Sequence, residues 1–95
     1  MRSEEQDIVN KGHNMQHEQL DYLDEVISDV LDGNYFRTAG LSTGERLYVA
    51  LAASDIGLLR EMGYTVAQAL GRLDYGDAAE LVKRWRHVER WATRL

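Results

Sequence analysis

The most apolar stretch of the chain lies near its middle, over residues 41–53 (LSTGERLYVALAA). From Leu47 onward no charged residue interrupts it, and a helix that is apolar on every side must be surrounded by protein or lipid. The stretch is too short for a bilayer, which needs about 20 apolar residues. It therefore predicts a central helix over about residues 42–53, opened by a capping box between Ser42 and Glu45.

Two amphipathic helices are predicted to pack around that centre. The first extends from Asn14 to Asp32, with Asn14 as its N-cap and Gly33 just after its end. Its apolar side chains recur at spacings of three and four and line one face: Leu20, Leu23, Ile27, Val30 and Leu31. The last helix extends from Asp77 to Arg94, with a capped start at Asp77. Its apolar stripe consists of Ala78, Leu81, Val82, Trp85, Val88, Ala92 and Leu95.

Shorter elements are predicted between these helices. Residues 34–41 form a connection, and its two aromatic side chains, Tyr35 and Phe36, are expected to tuck under it. The sequence DIGLLREM then predicts a short helix, capped at Ser54 or Asp55 and ended by a glycine. A second capping box, TVAQ, opens one more short helix. That helix is expected to bury Val66, Leu70 and Leu73.

A helix-turn-helix is the one nucleic-acid motif that this region suggests. Placed over Gly63–Trp85, it would use the TVAQ helix as its first helix and would need a second helix with base-reading polar residues. The following residues instead include Asp74, Asp77 and Glu80, and acidic side chains repel phosphates. DNA binding through this motif is therefore not favoured.

Composition supports a small helical domain. The 95 residues suit one domain, no cysteine is present for a disulfide or thiolate metal site, and no proline interrupts a helix. Residues 1–13 have weak periodicity and are expected to be flexible or to form a short helix, with residues 14–95 as the domain. The fold predicted is an all-α bundle of four to five short helices around the central one. No export signal or membrane segment is visible, so a cytoplasmic location is expected.

Charge is distributed unevenly in a chain whose net charge is −5. Residues 1–33 hold nine acidic side chains against two basic ones. On the first helix the carboxylates form an acidic ridge, opposite the apolar face and roughly 20 Å long. The ridge consists of Glu18, Asp21, Glu25, Asp29 and Asp32. On the last helix a basic face with an edge aromatic consists of Lys83, Arg86, Arg90, Trp91 and Arg94. Both are expected to point outward and not to neutralise each other within one chain.

Each charged face has two interpretations. A row of charges is the solvated side of an amphipathic helix, or it is a docking surface for a partner of opposite charge. For the acidic ridge, docking includes mimicry of nucleic-acid phosphates. Complementary faces on one chain also allow self-association into a homo-oligomer.

Patterns that would indicate catalysis or metal binding are missing from the sequence. No serine lies in a G-x-S-x-G context, and no phosphate loop ends in Gly-Lys-Ser/Thr. His13 and His17 are one helical turn apart, with Asp21 one turn further, but Gly12 and Asn14 place His13 at or before the helix start. No enzymatic activity, cofactor or metal is therefore expected.

The function expected from the sequence is docking without catalysis. The protein would bind another protein or a complex through a charged helix face. Inhibitors and adaptors of the viral or mobile-element type are a class with such features, by analogy alone. Nucleic acid is a less favoured partner, and no membrane is expected. The alternative is a DNA-binding transcriptional regulator that uses residues 63–94.

Overall fold

The computed structural model describes residues 15–87, and these are all-α, as predicted. Five α-helices are present in them, with no strand and with one 3₁₀ helix after the first. In chain order they are α1 (His17–Leu31), the 3₁₀ helix (Phe36–Gly40), α2 (Thr43–Ala52), α3 (Ile56–Met62), α4 (Val66–Arg72) and α5 (Tyr75–Trp85). The predicted segment 1–13, and the Arg90, Trp91 and Arg94 part of the basic face, lie outside the described residues.

Helix α2 is the centre of the bundle, which confirms the prediction for residues 42–53. It contacts α1, α3, α4 and α5. Four consecutive side chains of α2 are completely buried: Leu47, Tyr48, Val49 and Ala50. The predicted capping box is also present. The Ser42 hydroxyl accepts from the Glu45 amide at 3.2 Å, and the Glu45 carboxylate accepts from the Ser42 amide at 2.8 Å.

The apolar core forms two clusters, one on each side of α2. The larger lies between α1, α2 and α5, and all five apolar residues predicted for α1 are buried in it, together with Val26. The smaller lies between α2, α3 and α4. Its buried members are Leu47, Ala50, Leu58, Leu59 and Ala69. Because α2 contributes to both clusters, the two halves of the bundle share one helix.

The ends of the first and third helices follow local capping rules. Helix α1 has Gln16 as its N-cap, two residues after the predicted cap, Asn14, which lies outside the described residues. Gly33 follows α1 with a φ of +90°, as expected for the residue after a helix end. At α3, the Asp55 carboxylate caps the start by accepting from the Leu58 amide at 3.0 Å.

The aromatic side chains of the connection are exposed, so the expectation that they tuck under it is wrong. Phe36 is 84% exposed and Tyr35 is exposed as well. The 3₁₀ helix turns Thr38 inward instead, where its hydroxyl donates to the Tyr35 carbonyl at 2.7 Å. In a tight turn of three residues, burying Thr38 leaves the preceding side chains outside.

The buried side of α4 also differs from the prediction. Leu73 is buried as expected, but Val66 and Leu70 are 44% and 48% exposed. The helix turns Ala69 toward α2, and this small side chain is completely buried in the smaller cluster. Because the small side chain of Ala69 lets α4 approach α2 closely, the larger apolar side chains of this short helix remain exposed. Helix periodicity alone does not predict this orientation.

Helix α5 begins before the predicted start. Asp74 is its N-cap, with the carboxylate accepting from the Gly76 amide at 2.8 Å. Asp77, predicted as the cap, lies inside the helix, is buried, and accepts from the Met15 amide at 3.0 Å. Val82, predicted on the apolar stripe, is half exposed. Asp77 therefore joins α5 to the segment that enters α1.

Candidate functional site

The acidic ridge lies on the outer side of α1, away from the larger apolar cluster. Glu18, Asp21, Glu25 and Asp32 are exposed, while Asp29 is partly buried. The same face carries Tyr22, which is 42% exposed between the carboxylates. Two arginines from distant parts of the chain bind the ridge, one at each end.

Arg37 of the 3₁₀ helix binds the C-terminal half of the ridge. Its Nε donates to Asp29 at 2.8 Å and its Nη1 to Glu25 at 3.2 Å. The guanidinium also lies over the Tyr22 ring, 5.4 Å from the ring centroid, in a cation–π contact. The hydrogen bonds to Asp29 and Glu25 raise the pKa of Arg37, so this positive charge is fixed.

Arg84 of α5 binds the N-terminal half. Its Nη1 donates to Asp21 at 3.0 Å and to Asp24 at 2.7 Å, and its Nε donates to Glu80 at 3.0 Å. Trp85 donates from its indole Nε1 to the second oxygen of Asp24 at 2.8 Å. The bond to Glu80, followed by the bond to Asp21, raises the pKa of Arg84.

Arg84 therefore joins the last helix to the ridge at Asp21, a contact that the expectation about the two charged faces did not cover. The two helices lie side by side and run in the same direction, since Met15 bonds to Asp77 and Asp24 bonds to Trp85. Arg84 lies on neither the predicted apolar stripe nor the predicted basic face. Its i,i+4 spacing from Glu80 was the available signal.

Within residues 15–87 the ridge has more carboxylates than arginines that bind it. Counting Asp24, the ridge helix and its C-cap carry six carboxylates and no Lys or Arg, and Arg37 and Arg84 bind four of them: Asp21, Asp24, Glu25 and Asp29. The side chains of Asp21 and Glu25 are still 68% and 65% exposed. The arginines thus hold these carboxylates in place and leave them accessible from outside.

No protein-family model matches the chain, and no curated protein or solved structure is significantly similar to it. Function has to be inferred from the residues of the chain itself. None of the helices within residues 15–87 is long and apolar enough to cross a membrane.

The basic face is only partly within the described residues. Lys83 and Arg86 are exposed at the C-terminal end of α5, and Arg86 donates from Nε to His87 Nε2 at 3.1 Å. Arg90, Trp91 and Arg94 lie beyond this part of the chain. The described residues therefore include the whole acidic ridge. They include only two residues of the basic face, Lys83 and Arg86.

A metal-binding arrangement is not found in the described part of the chain, where no three His, Asp or Glu side chains are grouped to hold an ion. His17 is exposed, and its Nδ1 lies 3.3 Å from Arg84 Nη2. His13, its proposed partner in a metal site, lies outside the described residues.

The Tyr48 hydroxyl, behind the ridge, is buried and has no hydrogen-bond partner among the described residues. Burial, followed by the nearby Asp24 carboxylate, raises the pKa of Tyr48, so the hydroxyl keeps its proton. A buried hydroxyl without a partner costs free energy because it has left water without replacing the lost hydrogen bond.

Tyr48→Phe is therefore expected to leave stability unchanged or to raise it by about 1 kcal/mol, because the ring stays and only the unpaired hydroxyl is removed. The free energy of unfolding in urea measures this. Tyr75→Phe is the control, since Tyr75 is 92% exposed and should give no change. A loss of stability specific to Tyr48→Phe would show that the hydroxyl makes a hydrogen bond in solution.

Proposed function

We propose that this protein is a small non-enzymatic interaction protein that docks a basic partner protein onto the acidic ridge of α1. The observation that supports this most directly is that Asp21 and Glu25 are bound by Arg84 and Arg37 and still have side chains that are 68% and 65% exposed. A side chain that is already ordered loses less conformational entropy on binding. Arginine-bound carboxylates are therefore better suited to docking than freely rotating ones.

The partner that fits this surface carries Lys or Arg side chains spaced to meet successive turns of α1. Glu18, Asp21 and Glu25 lie at intervals of three and four along a rigid helix, so a cationic helix or strand can meet all three. Tyr22, between them, provides an aromatic contact of the kind that often dominates binding energy. Electrostatic attraction of this type speeds association and weakens with salt.

Such a surface would suit an inhibitor or adaptor of the viral or mobile-element type that acts in the cytoplasm. The ridge could also act as a mimic of nucleic-acid phosphates toward a DNA- or RNA-binding partner. The two arginines reduce its charge, however, so a partner that recognises positioned carboxylates fits better than one that responds to charge density alone.

The double variant Glu18→Lys/Glu25→Lys is expected to weaken partner binding at least tenfold while leaving the fold intact. Both side chains are exposed, and Asp29 still binds Arg37 when Glu25 is replaced. The partner is first captured from the native host at low salt and identified by mass spectrometry. Its dissociation constant is then measured with purified proteins, by calorimetry, at two salt concentrations.

Glu61→Lys is the matched control, because Glu61 is an exposed acid on α3, away from the ridge. It should leave the dissociation constant within about twofold, as expected for a charge outside the interface. Equal affinity of the wild type and the double variant for the purified partner would exclude the ridge as its docking surface.

A further inference from the structure

Helices α3 and α4 form a pair joined by a very short turn. Each has seven residues, and three residues, Gly63 to Thr65, connect them. Gly63 has a φ of +83°, in the left-handed region where glycine is favoured, and ends α3. Thr65 then caps α4, with its hydroxyl accepting from the Gln68 amide at 3.1 Å. Two helices joined by a three-residue turn containing glycine are typical of a helix-turn-helix.

Helix α2 packs across both members of this pair. Leu58 and Leu59 from α3 and Ala69 from α4 meet Leu47 and Ala50 of α2 in the smaller cluster. The turn contributes apolar side chains to the same cluster, because Met62 and Tyr64 pack against it. The result is a three-helix unit in which one side of α4 is held by the core. Its other side is exposed, and the exposed α4 residues are Val66, Ala67, Gln68, Leu70, Gly71 and Arg72.

From this geometry we infer that α2, α3 and α4 form a helix-turn-helix unit that presents the exposed side of α4 to the major groove of duplex DNA. The motif lies one helix earlier than the placement considered from sequence, which took α4 as the first helix. The acids that counted against that placement are two residues of α5 and its N-cap, Asp74, whose carboxylate accepts from the Gly76 amide. Asp77 is buried there, and Glu80 binds Arg84.

Helices α3 and α4 carry a small positive charge, although α2 and Asp55 bring the whole unit to zero, with three acidic residues against three arginines. Helix α4 has no acidic residue, and residues 56–72 contain Arg60 and Arg72 against Glu61, in a protein of net charge −5. Arg72 is ordered by a hydrogen bond to the Tyr64 hydroxyl and lies 5.7 Å from the centroid of that ring. The exposed side of α4 therefore offers phosphates the Arg72 guanidinium and no carboxylate of α4 itself.

The exposed α4 side chains also match what base edges require. Gln68 Nε2 can donate to adenine N7 while Oε1 accepts from the Thr65 amide, and Arg72 can bond guanine or a phosphate. Val66 and Leu70, exposed although apolar, can contact thymine methyl groups. Since few cations are available, binding is expected to be weak and sensitive to salt, near the micromolar range typical of non-specific complexes.

The decisive variant is Gln68→Glu. The Gln68 side chain accepts from the Thr65 amide at 2.9 Å, and glutamate serves the same position in a capping box, so the helix start is retained. The carboxylate would, however, face the phosphates. The matched control is Asn34→Asp, which also converts an exposed amide to a carboxylate and keeps the bond that Asn34 Oδ1 accepts from the Phe36 amide at 3.0 Å.

Fluorescence anisotropy with a labelled mixed-sequence duplex of about 20 base pairs, at low salt, measures binding. Wild type should bind, Gln68→Glu should bind at least about tenfold more weakly, and Asn34→Asp should stay within about twofold of wild type. If Gln68→Glu has a lower melting temperature than wild type, Ala67→Glu, at another exposed α4 position, is used in its place.

Base recognition is tested separately, by selection from a random duplex library. The wild type should enrich a short motif that Gln68→Glu no longer enriches. Absence of wild-type binding, equal weakening by the two amide-to-carboxylate changes, or selection without an enriched motif would each overturn the inference. In the first case the exposed Val66 and Leu70 would instead belong to a protein interface. The Glu18→Lys/Glu25→Lys variant should bind DNA at least as well as wild type, so this test is independent of the ridge.

Discussion

Leu47→Asp is expected to unfold the protein. Leu47 is completely buried in the smaller cluster, where apolar side chains of α2, α3 and α4 surround it. Burying an unpaired charge costs several kcal/mol even after relaxation, and the substitution also removes the packing of a leucine. The total stability of a domain of this size is only about 5 to 14 kcal/mol. Far-UV circular dichroism at 25 °C should therefore show loss of most helical signal.

Leu70→Asp is the control for that experiment, because it makes the same chemical change at an exposed position of α4. It should retain the helical signal, with a melting temperature within a few degrees of wild type. A cooperative, near-wild-type melt of Leu47→Asp would contradict the assignment of α2 as the centre of the bundle.

Arg84→Ala is expected to destabilise the protein by about 2 kcal/mol. The Arg84 side chain is 16% exposed and is the common partner of Asp21, Asp24 and Glu80. Its removal leaves these three carboxylates close together without the guanidinium that binds all of them. An exposed salt bridge contributes at most about 1 kcal/mol to stability, whereas breaking a buried salt bridge costs about 3 to 5 kcal/mol. The partly buried Arg84 lies between these two cases. Urea unfolding at pH 7 measures the change.

The effect of Arg84→Ala should also depend on pH. The hydrogen bond from Arg84 lowers the pKa of Glu80 below its ordinary value. A carboxylate whose folded-state pKa is lowered stabilises the fold above its ordinary pKa, and this stabilisation is lost as the pH falls through the folded-state pKa. The difference between wild type and variant should therefore shrink in acid. Arg86→Ala, on the exposed end of the same helix, is the control and should change stability by less than about 0.5 kcal/mol.

Features that depend on neighbouring residues were predictable from the sequence. The capping boxes at Ser42 and Thr65 and the left-handed residues Gly33 and Gly63 all lie where the local pattern placed them. The apolar face of α1 was likewise predicted, because a helix of 15 residues repeats its pattern often enough to fix the buried side.

Features that depend on distant residues were not predictable. Arg84 and Asp24 are 60 positions apart, so helix periodicity gives no information about their contact. Helix α4 has only two turns, so its apolar pattern was too short to show which side faces the core. The side with Ala69 is buried, and the side with Val66 and Leu70 is exposed. The turn at Gly63 was predictable from its glycine, whereas the pairing of α3 with α4 depends on their shared packing against α2.

The contacts between α1 and α5 have a consequence for the order in which the chain folds. The bonds from Met15 to Asp77 and from Trp85 to Asp24 join residues 62 and 61 positions apart. The smaller cluster, by contrast, joins residues within the single stretch 47–69. Closing a long loop costs more chain entropy than closing a short one, and distant contacts form more slowly. The α2–α4 unit can therefore nucleate folding on its own contacts, and the seam between α1 and α5 closes the structure last.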